Sequence, residues 1–127
     1  MPGPRRALAY NNATERVWND IQQALCDPGI VEEGDVAPSN PAISELKELI
    51  YATGSIVPLV SPHVECFEGS VRLIWNTPLK NVRAIKASRV DRRSYLYHEE
   101  VANGLAFNEG IADLTADNLA HWLKAMD

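Results

Sequence analysis

The chain has 127 residues, of which 46% are hydrophobic and 23% charged. That composition predicts one globular domain with its own core and excludes wholesale disorder. No apolar run approaches the roughly 18 residues that span a bilayer, and no apolar stretch follows the basic Arg5-Arg6 start. Neither membrane insertion nor a signal peptide is therefore expected, and with two free cysteines the cytoplasm is the expected compartment.

The first eleven residues carry two prolines, a glycine and two arginines without periodicity, and read as a flexible N-terminal tail at 1–11 ahead of a single domain at 12–127. Asn12 with Glu15 resembles a capping box. Val17, Trp18, Ile21, Ala24 and Leu25 then recur at helical spacing until Asp27-Pro28-Gly29 stops them. An acidic loop follows. Asn40-Pro41 is the expected start of a second helix, with Ile43, Leu46, Leu49 and Ile50 on its apolar face and Gly54 at its end.

The middle predicts an antiparallel meander. Its expected strands are His63–Phe67, Ser70–Asn76, Val82–Ala87 and Ser94–Glu99, with a weaker fifth from Gly104 to Ile111. In the second of these, Val71, Leu73 and Trp75 alternate with Arg72, Ile74 and Asn76, so the first three are expected under the helices. Thr115 then caps a last helix, with Leu114 and Leu119 as a hydrophobic staple and Leu119, Trp122, Leu123 and Met126 as its buried stripe. Helices and strands that do not alternate imply an α+β fold: two N-terminal helices, an antiparallel meander of four or five strands, and a C-terminal helix packed on the sheet.

From Glu68-Gly69 onward the chain resembles a small, poorly characterised group of bacterial α+β proteins. The resemblance rests on the turn glycine and strand Gly69-Ser70-Val71-Arg72-Leu73-Ile74-Trp75, on Tyr95-Leu96-Tyr97, and on the terminal helix from Leu119 through Trp122-Leu123. The Ser61-Pro62 segment also fits. The resemblance covers about half the chain and implies the fold. It assigns no activity, but because genes of that group are often found near toxin–antitoxin or mobile-element genes, it implies a regulator or an antitoxin-like inhibitor.

Enzymatic signatures are weak. His98-Glu99-Glu100 would need a second histidine at position 102, which is Ala102. Ser61, His63 and Cys66 are close in sequence but lack a glycine elbow. Cys26 and Cys66 lie forty residues apart without ligand spacing and read as small apolar core residues. The scattered glycines form no phosphate loop. No cofactor and no metal are expected.

Charge carries the functional reading. Net charge is −5, yet between Gly69 and His98 seven basic residues face only Asp91, a segment of +6 that leaves −11 for the remainder. Arg89, Arg92 and Arg93 fall in one connection beside Tyr95 and Tyr97, and these five are the candidate binding residues. Arginine beside aromatics can hold single-stranded nucleic acid by phosphate pairing and stacking. Arginine facing carboxylates can equally hold a protein. A solvated loop balancing the acidic helices is the plainer alternative. The net negative charge sets nucleic acid behind a protein partner or self-association, so a protein-binding regulatory module is the expectation, more as a binder than as an enzyme.

Overall fold

The computed structural model describes residues 2–89 and 91–124, with side chains described for 13–89 and 91–124. The elements run α1 (Pro2–Leu25), α2 (Asn40–Gly54), β1 (His63–Phe67), β2 (Ser70–Asn76), β3 (Lys80–Lys86), β4 (Tyr95–Ala102), β5 (Leu105–Asp113) and α3 (Ala116–Leu123). The five strands form one sheet in the order β1-β2-β3-β4-β5, every neighbouring pair antiparallel. This is the α+β fold with an antiparallel meander that the non-alternating order of helices and strands implied.

Alternation decides which face the helices cover. Val71, Leu73 and Trp75 of β2 are buried, while Arg72 and Ile74 are half-buried and Asn76 is exposed. In register with them, Val64 of β1, Val82 and Ala84 of β3 and Leu96 of β4 complete the buried face. Val17, Trp18 and Ile21 of α1, Leu46 and Ile50 of α2, and Leu119 and Leu123 of α3 close the core over it. α1 lies against β1, α3 lies against β3 and β4, and α2 packs against both other helices. The Trp75 indole N–H donates to the Val60 carbonyl at 2.6 Å, so this large ring is buried with its polar atom satisfied.

α1 begins at Pro2, not at an Asn12 cap, and its helical backbone runs through the expected tail. Pro2 and Pro4 fall in the first turn, where a missing N–H costs nothing, and Arg5, Arg6, Ala7, Leu8 and Ala9 favour helix. The side chain of Asn12 lies outside the described residues, as does Met126. α2 is capped by Ser39, one residue before the expected asparagine, through its hydroxyl oxygen, which accepts the Ala42 N–H at 3.2 Å. Thr115 caps α3 as expected, accepting the Asn118 N–H at 3.1 Å. At the end of α2 a Cβ on Gly54 would meet Thr14 Oγ1 at 2.5 Å, so glycine lets α1 and α2 approach closely here.

Two tight turns set the strand ends. Glu68 and Gly69 both have positive φ, as do Asn103 and Gly104. Such pairs make two-residue hairpin turns that match the twist of the strands. The second pair extends β4 to Ala102 and starts β5 at Leu105, beyond the bounds read from the sequence. β3 likewise starts earlier, at Lys80, because Thr77 and Lys80 exchange backbone hydrogen bonds across the turn. The β4–β5 register shifts at Glu100/Val101, leaving Phe107 without a partner, a β-bulge. Cys26 is exposed, not in the core, because α1 ends at Leu25 and the chain turns away at Asp27-Pro28-Gly29.

Candidate functional site

Register turns the second sheet face into rows of side chains. One row reads Glu65, Arg72, Ile85, Tyr95 and Asp113; the next reads His63, Ile74, Arg83, Tyr97 and Ile111; a third joins Asn76, Asn81, Glu99 and Glu109. No described element packs over this open face. Ile85 is nonetheless only 9% exposed. Its neighbours in the row, Arg72 and Tyr95, are long enough to cover it.

The aromatic centre of the face is polar and ordered. The Tyr97 hydroxyl lies 2.7 Å from Glu99 Oε2 and 2.9 Å from Glu109 Oε2. Hydrogen bonding to Glu99, then to Glu109, holds the phenol well above its ordinary range, because ionising it would put a third negative charge beside two carboxylates. The Arg83 guanidinium stands 5.9 Å from the Tyr97 ring centroid, within cation–π reach, and its Nε donates to Asn81 Oδ1 at 3.3 Å. Arg72 pairs with Glu65 at 3.2 Å.

The three arginines of the connection are exposed and each is paired within the molecule. Arg89 makes a two-pronged contact with Asp91 at 3.0 and 2.9 Å, and this hydrogen bond holds the Asp91 carboxyl below its usual range. Arg92 pairs with Glu68 at 2.8 Å, and Arg93 pairs with Asp113. The connection is also strapped down: the Ser88 hydroxyl accepts the Ser39 N–H at 2.9 Å, and the Ser94 hydroxyl accepts the Ala87 N–H at 2.9 Å. Thus Tyr95 and Tyr97 share the face with Arg72 and Arg83, whereas Arg89 pairs within the connection, Arg92 pairs with Glu68 of the β1–β2 turn, and Arg93 reaches the Tyr95 row through Asp113.

Strand register, not proximity in sequence, made that arrangement. Arg72 and Ile74 were legible as outward residues of their strand, but only pairing shows that they and Arg83 share a face with the tyrosines.

The residues weighed for catalysis do not converge. Ser61 Oγ donates to Asp20 at 2.6 Å, His63 pairs with Glu65 at 3.5 Å on the open face, and Cys66 faces the helices, where burial pushes its thiol up. His98 lies on the helix side and stacks on Trp122 of α3, centroids 3.6 Å apart and planes 8° from parallel. Among the described residues no group of three His, Cys, Asp or Glu could hold a metal ion, and no helix is long and apolar enough to cross a membrane. Comparison with known proteins found no matching family model, no matching curated protein and no matching solved structure.

Proposed function

We propose that this chain is a protein-binding module whose working surface is the open sheet face, with the Arg89–Arg93 connection at its rim. The observation that carries the reading is the row His63, Ile74, Arg83, Tyr97 and Ile111. It is a band of aromatic, aliphatic and guanidinium groups that no described element of the chain covers. Tyrosine and arginine are the side chains most enriched where binding energy concentrates. Apolar groups such as Ile74 and the 63% exposed Ile111 add surface that gains from burial.

Charge favours a protein over nucleic acid. The three rows hold Arg72 and Arg83 against Glu65, Glu99, Glu109 and Asp113, so the face offers phosphates no net attraction. The arginines already paired in place are suited to exchanging their carboxylates for a partner's.

A photoreactive phenylalanine analogue placed at Ile74 in the native host tests this. The same analogue at Lys47, exposed on α2, is the control. Discrete protein adducts from position 74 alone, lost when Arg83→Glu is added, are expected. Adducts to RNA or DNA would shift the reading to nucleic acid, and protein adducts from position 47 alone would remove the open face as the working surface.

A further inference from the structure

Beyond the open face, the free edge of β1 borders a groove shaped for an added strand. β1 pairs only with β2 and so ends the sheet. Its turn is the two-residue Glu68-Gly69, which makes Phe67 and Ser70 a hydrogen-bonded pair. Alternation from that pair points the N–H and C=O groups of Cys66 and Val64 away from β2. A cavity of about 540 Å³ runs beside them, lined by all five β1 residues, by Arg72 of β2, and by Gly29, Ile30 and Glu32 of the loop after α1.

The wall is held away from the edge. Among the described residues no backbone hydrogen bond joins residues 63–67 to this loop. The loop is tied to the β1–β2 turn past the end of the strand, where Val36 O accepts the Gly69 N–H at 3.0 Å and Asp35 Oδ2 accepts the Glu68 N–H at 3.1 Å. Two outward donors and two outward acceptors therefore face open space, the feature that strand addition uses.

The groove's charge selects its occupant. The loop carries Asp27, Glu32, Glu33 and Asp35 and no basic residue. Among the described residues neither Glu32 nor Glu33 has an ion-pair partner, whereas Glu65 is already matched by Arg72. Ile30 and the 55% exposed Phe67 add apolar surface. We infer that the β1 edge takes an extended segment of another protein in which basic and apolar residues alternate. A second copy of the chain fits poorly, since its other free edge, β5, would bring Glu109 and Asp113 to an acidic wall.

A peptide of alternating valine and lysine is the probe, with alternating valine and glutamate as its control. Bound peptide should slow hydrogen exchange at the Val64 and Cys66 amides. It should also slow alkylation of Cys66 while leaving Cys26, exposed beyond α1, unchanged. Glu32→Lys with Glu33→Lys should weaken binding by about tenfold, the effect of some 1.4 kcal/mol, and Ile30→Trp should block the groove. The inference fails if neither amide is protected, if the glutamate peptide binds as well, or if charge reversal leaves affinity unchanged. It stands apart from the open-face reading, because Ile30→Trp should leave the adducts from position 74 intact.

Discussion

His98 is the side chain most constrained by its surroundings. Its ring lies against Trp122, its Nδ1 is buried without a hydrogen-bond partner, and desolvation holds its pKa below the ordinary histidine value. Glu100 on β4 pulls the other way, while His121 adds to the lowering; Lys80 of β3 stands over the same Trp122 ring, 5.7 Å from its centroid. A histidine with a folded pKa below its unfolded one binds more protons when unfolded. Its contribution to stability is thus complete above about pH 6.5 and is lost as pH falls from there through the folded value. Melting temperatures between pH 7.5 and 5.5 should drop less in His98→Phe than in the unaltered chain. An equal drop in both would mean that other groups set the acid sensitivity. Gly110 belongs to the same contact. A Cβ there would stand 2.9 Å from His98 Cε1 and 3.0 Å from Nε2, and the stacked indole leaves the imidazole no retreat. Gly110→Ala should cost about 1–3 kcal/mol in denaturant unfolding, the range for overpacked sites.

Among the elements, the connection between β3 and β4 gives the clearest prediction. Arg89, Arg92 and Arg93 pair with carboxylates that are themselves well exposed, so solvent and side-chain entropy discount each pair to under about 1 kcal/mol. The triple change to serine should leave the unfolding transition nearly in place, checked by urea titration. Loss of the fold would show the pairs to be structural anchors. How far the sequence disclosed these elements depended on the range of the interactions involved. Alternation in Ser70–Asn76 and the Thr115 cap act within a few residues, and both were readable with correct bounds. The Ser39 cap was displaced by one residue because Ser39 and Asn40 are both good caps and only the backbone geometry chooses. The start of α1 was misread because Pro2 and Pro4 signal a tail and a first helical turn alike. The company kept by Tyr95 and Tyr97 depends on pairing with residues ten or more positions away, and no local pattern encodes which arginine stands opposite which tyrosine.

At the scale of the whole molecule, the acidic ends neutralise the basic middle. Lys86 pairs with Glu45, Arg92 with Glu68 and Arg93 with Asp113. Part of the asymmetry of +6 against −11 is therefore folded into contacts inside the molecule, and salt should weaken partner binding through the charges that remain exposed. The bulge at Phe107 has a consequence for populations of molecules. A sheet with two free edges can grow without limit, each copy laying its last strand on the next copy's first, and such head-to-tail contact never closes. Phe107 breaks the regular spacing of donors and acceptors along β5, and Glu109 and Asp113 put charge on the same strand. Both features discourage a further strand from pairing on β5. Deleting Phe107 in an Glu109→Thr, Asp113→Thr background should restore regular spacing and remove that charge, and light scattering should then rise with concentration where the unaltered chain stays flat.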